Sequence, residues 1–147
     1  MNWRVDVFER GVLPAAARAI REAVFVREQQ VRIELEWDEF DARSLHALAL
    51  GDDDLPVGTG RLLPDGRIGR MAVLPPWRGR GVGTAILSAL VARAAGLGMP
   101  RVLLHAQTHA AGFYARRGFS TAGGEFLEAG IPHVTMLRDL PPGSFAD

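Results

Sequence analysis

The sequence of 147 residues lacks both cysteine and lysine. Without cysteine the chain has no structural disulfide, thiolate nucleophile or cysteine metal site, which fits a reducing cytoplasm. Without lysine it has no phosphate-binding lysine and no Schiff base, and its basic side chains are arginines. The 17 basic and 17 acidic residues cancel, which removes any whole-molecule argument for binding nucleic acid or an anionic membrane. No apolar run approaches the ~20 residues of a membrane-spanning helix, so we expect a cytoplasmic protein.

The length is that of one domain, which at this size buries about 68% of the surface that the unfolded chain exposes. We therefore expect a single domain over residues 1–147, with a flexible tail at 141–147. Alternating and helical hydrophobic patterns predict an opening strand, a helix after Pro14 and an antiparallel meander from Ser44 to Val73. A helix, a strand, a short helix and two strands follow. The strand–helix–strand order indicates one parallel crossover.

Glycine and arginine are concentrated in "VLPPWRGRGVGTAIL", between a predicted strand and a predicted helix. A helix N-terminus leaves about four backbone N–H groups unpaired and carries roughly +0.5 charge, and glycine lets a ligand approach them. Four arginines and no acid lie from Arg67 to Arg80, which favours a polyanion. The missing lysine excludes a P-loop, and the glycine spacing does not fit a dinucleotide fold. An alternative is that Gly79, Gly81 and Gly83 only shape a tight turn.

The segment "RGRGVG", with Arg78, Gly81 and Gly83 in an Arg-x-x-Gly-x-Gly arrangement, resembles the pyrophosphate loop of the GNAT superfamily of N-acetyltransferases. The segments "LHAQTHAAGFYARRGF", "VFVREQ" and "EAGIPHVTM" are similar to small bacterial single-domain members. The resemblance implies an α/β (α+β) fold. Its mixed, mostly antiparallel sheet would have about six or seven strands, a splayed parallel central pair and about four flanking helices.

The resemblance also implies acetyl-CoA as the co-substrate and no metal. Backbone N–H groups of the loop would hold the CoA pyrophosphate, Arg78 and Arg80 would add positive charge, and the strand before the loop would contact the pantetheine arm. The implied cofactor-binding residues are Met71, Ala72, Val73, Arg78, Gly79, Arg80, Gly81, Val82, Gly83, Thr84, Gln107 and Phe113.

Tyr114 matches the position of the family's general acid, which protonates the departing CoA thiolate. A phenol with a pKa near 10 and a thiol near 8.5 are close enough for a positioned hydrogen bond to help. An ordinary core role is the alternative for this tyrosine. The acceptor amine also needs a proton acceptor; His105, His133, Glu125 and Glu128 are candidates, and no motif assigns the base to one of them.

The segment from Glu28 to Asp41 contains six acids and one base, together with the aromatic residues Trp37 and Phe40. This composition favours a cationic amine acceptor, with the aromatic rings beside the ammonium group. A solvated acidic surface loop is the alternative.

The sequence therefore predicts an N-acetyltransferase acting on a small or protein amine. A non-catalytic acyl-CoA-binding regulatory domain is the principal alternative, which Tyr114 argues against. A serine hydrolase is disfavoured because there is no Gly-x-Ser-x-Gly elbow. Nucleic-acid binding conflicts with the neutral charge. A homodimer agrees with the resemblance, although no motif indicates an interface.

Overall fold

The computed structural model describes residues 2–36 and 38–141, and it contains one seven-stranded mixed sheet. The strands lie in the order β1-β2-β3-β4-β5-β7-β6. The strands are β1 Arg4–Val7, β2 Leu45–Leu50, β3 Pro56–Leu62, β4 Arg67–Val73, β5 Arg101–Gln107, β6 Ser120–Glu128 and β7 Ile131–Asp139. The α-helices are α1 Ala15–Arg21, α2 Ile33–Glu36, α3 Val82–Gly96 and α4 Ala111–Ala115. The predicted tail lies outside the described residues except for Pro141.

Helices α1 and α3 cover opposite faces of the sheet. The α1 side buries Ala17 and Ile20 with Leu48 of β2, whereas Ile86 and Leu90 of α3 pack with Ala47 and Ala49 of the same strand. These adjacent β2 residues point to opposite faces because side chains alternate along a strand. Ile86 and Leu90 are fully buried, and each such side chain contributes about 1.5–3 kcal/mol.

Glycines in β3 bring α3 close to the sheet. A Cβ atom at Gly58 would lie 2.8 Å from Ile86 Cδ1, and one at Gly60 would lie 2.9 Å from Ile86 Cγ2. Any larger residue at either position would push the helix away. The close packing therefore holds α3 against β3, the strand next to β4.

The first helix changes its hydrogen-bonding pattern along its length. After Arg21 the helix continues as a π-helical segment over Glu22–Glu28, and the Gln29 N–H donates to the Val24 carbonyl at 3.0 Å. Widened turns of this kind are frequent at functional sites. Here the segment ends beside the opening between β4 and β5, so it forms a wall of that opening.

Strands β4 and β5 form the one parallel pair of the described sheet, and they separate soon after they begin. Arg67 and Ile68 pair with Leu103 and Leu104, whereas the rest of β4 has no partner in β5. The register between β3 and β4 shifts near Arg70, whose φ is 48°. A bulge of this type bends the strand and redirects its backbone groups. The result is a cleft at the centre of the sheet.

The predicted fold is confirmed in its element order, its parallel crossover and its splayed strand pair. The sequence pattern predicts the short helix over "THAAGFYARRG", but Thr108–Ala110 is a 3-10 turn, so α4 begins later than that pattern indicates. No helix in residues 2–36 and 38–141 is long and apolar enough to cross a membrane.

Candidate active site

The N-terminus of α3 carries the predicted phosphate loop. Gly79 and Gly81 have positive φ angles of 74° and 91°, a conformation that glycine adopts without strain. The first helical hydrogen bond runs from the Ala85 N–H to the Gly81 carbonyl at 3.0 Å. The N–H groups of residues 82–84 have no acceptor among the described residues, and no side chain caps the helix. The positive end of α3 is therefore open to an anion.

The loop lies directly beside β4 and α4. A Cβ atom at Gly83 would lie 3.8 Å from the Phe113 ring and 3.9 Å from Val73. Three residues predicted to contact the cofactor from separate parts of the sequence are thus brought together. The absence of a side chain at Gly83 keeps the space between them open.

Arg78 and Arg80 make contacts beside the loop. The Arg78 Nε donates to the Val73 carbonyl at 2.8 Å, and both of its Nη groups donate to the Glu28 carboxylate at 2.7 Å. The hydrogen bond from Arg78 lowers the pKa of Glu28 below its ordinary value. The Arg80 Nε donates to the Pro76 carbonyl at 3.0 Å. Arg78 therefore connects the π-helical segment to the end of β4, across the mouth of the cleft.

Arg117 is a cation at the loop that sequence reasoning missed. Its Nε and Nη2 donate to Thr84 Oγ1 at 3.0 and 2.7 Å, and its Nη1 donates to the Phe113 carbonyl at 2.7 Å. The guanidinium lies 3.7 Å from the centre of the Phe113 ring. Arg117 lies just after the end of α4, and its spacing of four residues from Phe113 could have indicated this contact. Positive charge thus reaches the start of α3 from α4.

A cavity of about 650 Å³, here called the cleft cavity, lies between the separated strands. Its wall includes the predicted residues Met71, Ala72, Val73, Arg78, Gly83, Gln107, Phe113 and Tyr114. Gln107 Nε2 donates to Gln29 Oε1 at 3.1 Å, and Gln107 Oε1 accepts a hydrogen bond from His109 Nε2 at 2.7 Å. The amide is therefore held between the π-helical wall and the end of β5.

A second cavity of about 470 Å³, here called the polar cavity, lies on the other side of the same opening. Met71, Gln107 and Tyr114 line both cavities. Tyr114 therefore stands where the two spaces meet. Its ring makes edge-to-face contacts with Phe113 and Phe119, with centroids 5.0 and 6.0 Å apart. Burial raises the pKa of Tyr114 above its ordinary value, so the phenol is protonated at neutral pH.

Acids of the segment from Glu28 to Asp41 are paired with arginines. Arg21 is 1% exposed and bonds Glu36, and it also bonds Asp41 at 2.9 and 3.1 Å. Arg61 bonds Asp38 at 2.7 and 2.8 Å, and it bonds Asp41 at 2.9 Å. This part of the segment is a buried ionic network that builds the wall of the polar cavity. It does not present the net negative charge that its composition suggests.

The arginines control the ionisation of these carboxyl groups. Burial alone would raise the pKa of Asp41, but the hydrogen bonds and charges of Arg21 and Arg61 lower it below its ordinary value. Asp38 likewise has a lowered pKa, because Arg61 and Arg70 outweigh its burial. Both groups are therefore ionised at neutral pH. The wall of the polar cavity carries as many acids as arginines, so their formal charges cancel. These residues are Glu36, Asp38, Glu128, Arg61, Arg67 and Arg70.

The acidic segment contains two aromatic residues, Trp37 and Phe40. Phe40 lies under the guanidinium groups of Arg43 and Arg67, 4.9 and 5.4 Å from the ring centre. Trp37, which the sequence predicts beside the acceptor, lies outside the described residues. The Phe40 ring therefore already contacts two protein cations.

Three of the four candidate bases line the polar cavity or its rim. His105 Nδ1 lies 2.8 Å from Glu128 Oε1, and His133 Nε2 lies 3.6 Å from Glu128 Oε2. The Phe126 ring packs between the two imidazoles, edge-on to His105 and stacked on His133. Glu125 is exposed, and strand alternation places it on the opposite face of β6 from Glu128.

Comparisons with known proteins agree on one family. The family model "Acetyltransferase (GNAT) domain" matches residues 15–140. The uncharacterized N-acetyltransferase YjcF of Bacillus subtilis is 43% identical over 124 residues, covering 82% of this chain and 88% of that protein. An acyl-CoA N-acyltransferase from Pseudomonas aeruginosa has a TM-score of 0.81 at 28% identity, covering 93% of this chain and 99% of that one. ElaA from Escherichia coli has the same TM-score and identity, with 94% and 100% coverage.

These similarities define an enzyme that takes an acyl group from acyl-CoA. The chain belongs to the GNAT acetyltransferase family, and acetyl-CoA is its co-substrate. Three features fit acetyl-CoA: the uncapped start of α3, the gap between β4 and β5, and the open space at Gly83. The expected enzyme class is thus confirmed.

Proposed function

We propose that this enzyme transfers the acetyl group of acetyl-CoA directly to a primary amine, with Tyr114 as the general acid. One observation carries the proposal: Tyr114 lines both the cleft cavity and the polar cavity. A proton donor at that junction reaches the point where a molecule in one cavity meets a molecule in the other. The family membership supports the cofactor side of the assignment.

Residues of the loop and of β4 would hold acetyl-CoA, which supplies an acyl group activated as a thioester. We assign the pyrophosphate to the backbone N–H groups of residues 79–84. The charges of Arg80 and Arg117 support them, whereas the Arg78 charge is balanced by Glu28. We assign the pantetheine arm to residues 71–73, where β4 has no partner in β5, and to Gln107 and Phe113, which line the cleft cavity.

Tyr114 would donate its phenolic proton to the leaving sulfur. The raised pKa keeps the donor protonated in the free enzyme. General acid catalysis of this kind contributes about 10²–10⁴-fold. The ring contacts with Phe113 and Phe119 hold the phenol in one orientation, which such proton transfer requires.

A cationic small molecule is the acceptor that the acidic segment favours, and we propose it as one class to test. The ionic network weakens the case made from composition, because Asp38 on the cavity wall already bonds Arg61 and Arg70. An acceptor ammonium would approach Glu128, whose only partners among the described residues are the two histidines.

The test is release of CoA thiol from acetyl-CoA with a fixed panel of amines: ethylamine, 2,2,2-trifluoroethylamine, spermidine, glucosamine and glutamate. We expect amine-dependent CoA release by the wild-type protein and loss of about 10²-fold or more in Tyr114→Phe. Calorimetry should show unchanged acetyl-CoA affinity in that variant, since Phe keeps the ring. Acetyl-CoA binding without any amine-dependent release would favour the regulatory-domain alternative.

The same substrate panel tests the acceptor class. Higher kcat/KM for spermidine and glucosamine than for glutamate would support a cationic acceptor, and the reverse order would contradict it. The single domain over the chain, the homodimer and the cytoplasmic location stay predictions.

A further inference from the structure

The proposed amine transfer, on which the following inference rests, needs a group that removes a proton from the acceptor. An alkyl amine with a pKa near 10.4 is neutral in only about one molecule in 2,500 at pH 7. The protonated form has no lone pair with which to attack. A proton acceptor in the polar cavity would take this proton from the bound ammonium and free the lone pair.

From the geometry, we propose that His105 Nε2 is this proton acceptor and that Glu128 is its positioning residue. His105 Nδ1 lies 2.8 Å from a carboxylate oxygen of Glu128. A carboxylate can only accept a hydrogen bond, so Nδ1 carries the proton and donates it. In the neutral ring the lone pair then lies on Nε2. No described residue hydrogen-bonds to His105 Nε2.

His105 also has the right location. Its side chain is 27% exposed and lines the polar cavity together with Tyr114. The edge-on contact with Phe126, with ring centroids 5.1 Å apart, also restrains the imidazole. A carboxylate and an aromatic ring thus hold an imidazole whose free nitrogen is available to a cavity ligand.

The other three histidines do not combine these features. His46 is 1% exposed, and its Nε2 donates to the Asp41 carbonyl. His109 Nε2 donates to Gln107 Oε1. His133 Nδ1 donates to the Ile131 carbonyl at 2.6 Å, and its Nε2 faces Glu128 within a side chain that is 8% exposed. His105 alone among these has an unengaged ring nitrogen in the polar cavity.

Two protons leave the amine nitrogen in the complete transfer. His105 Nε2 takes the first from R–NH₃⁺, which frees the lone pair. The nitrogen forms the C–N bond to the acetyl carbon, the C–S bond breaks, and the electron pair leaves on sulfur. Tyr114 protonates that sulfur and recovers a proton from the nitrogen, while His105 returns its proton to solvent past the half-exposed Glu128. One amide, one CoA thiol and one proton result.

The tautomer of His105 gives a test that needs no acceptor. Nitrogen-15 NMR of the intact protein at pH 8 should show Nδ1 protonated and Nε2 unprotonated in His105. His46, which donates through Nε2, is the internal reference for the opposite tautomer. Glu128→Ala should remove the preference for Nδ1. A wild-type His105 protonated at Nε2 would overturn the assignment.

The kinetic test compares two amines of similar shape and different basicity. At pH 7 ethylamine is almost fully protonated, whereas 2,2,2-trifluoroethylamine is mostly neutral and does not need the base. We expect His105→Gln to lower kcat/KM for ethylamine about 10²-fold or more and to lower it for trifluoroethylamine less than about 10-fold. His105→Ala serves as a second variant.

Matched controls separate this role from folding. Glu128→Gln should lower ethylamine transfer, whereas Glu125→Gln, on the other face of the same strand, should not. Acetyl-CoA affinity should be unchanged in the variants of the kinetic test, His105→Gln, His105→Ala, Glu128→Gln and Glu125→Gln. Equal losses for both amines, or no loss, would overturn only the base assignment. No amine-dependent CoA release by the wild-type protein would refute the transferase proposal, and the base assignment with it.

Discussion

Arg21→Met tests the buried ionic network that shapes the polar cavity. Arg21 is 1% exposed and bonds Glu36 and Asp41. Methionine fills similar space but leaves both carboxylates without that partner. Asp41 keeps Arg61 at 2.9 Å, whereas Glu36 loses its ion pair with Arg21 at 1% exposure. Removing one partner of a buried ion pair costs about 3–5 kcal/mol, so we expect a loss of that size in the free energy of unfolding.

The assay is urea unfolding at pH 7 together with thermal unfolding. At this chain length about 3–5 kcal/mol corresponds to a fall of about 10–15 °C in Tm. Arg101→Met is the matched control, because the Arg101–Asp139 pair has a similar distance of 2.8 Å but side chains 52% and 77% exposed. Such pairs contribute about 0–1 kcal/mol. Equal losses in both variants would refute the argument that burial sets the cost.

Further predictions concern the loop and the pH dependence. Gly81→Ala should weaken CoA binding, since alanine at a φ of 91° is strained by about 1–2 kcal/mol. Gly98→Ala, with a φ of 79° at the other end of α3, should lower stability similarly and leave the CoA Kd unchanged. Burial lowers the pKa of His46 in the folded protein. As the pH decreases, the unfolded chain therefore protonates this histidine before the folded chain does. The free energy of unfolding should thus fall as the pH decreases below about 6.5. His46→Gln should flatten this part of a urea-unfolding pH series; an unchanged slope would exclude His46 as its source.

The fold was predictable because its elements carry strong local signals. The predicted helix and strand that follow the meander are present as α3 and β5. The π-helical segment after Arg21 was not predictable, because its 7 residues are too few to establish an apolar period different from that of the α-helix before it. The bulge at Arg70 was also missed, since a positive φ at arginine leaves no mark in the sequence.

The candidate site was predictable where one segment builds it and less so where distant segments meet. The loop from Gly79 to Thr84 is continuous in sequence, so its role could be argued from glycine and charge. The position of Arg78 depends on Glu28, 50 residues away. Likewise the pairing of His105 with Glu128 arises only when β6 and β5 flank β7.

The acidic segment shows how composition can mislead. Its balance of acids over bases is real along the chain, but Arg21, Arg61 and Arg70 come from other elements and meet the acids in space. The net charge of one segment therefore predicts the charge of a cavity wall only when the residues that pack against that segment are known.

The most direct test of the cofactor site follows the backbone amide resonances as CoA is added to the nitrogen-15-labelled protein. We predict that the largest shifts occur at Val82, Gly83 and Thr84, and that pantetheine, which lacks the pyrophosphate, leaves these three amides nearly unmoved. Shifts from CoA that fall elsewhere, or equal shifts from pantetheine, would contradict pyrophosphate binding at the start of α3.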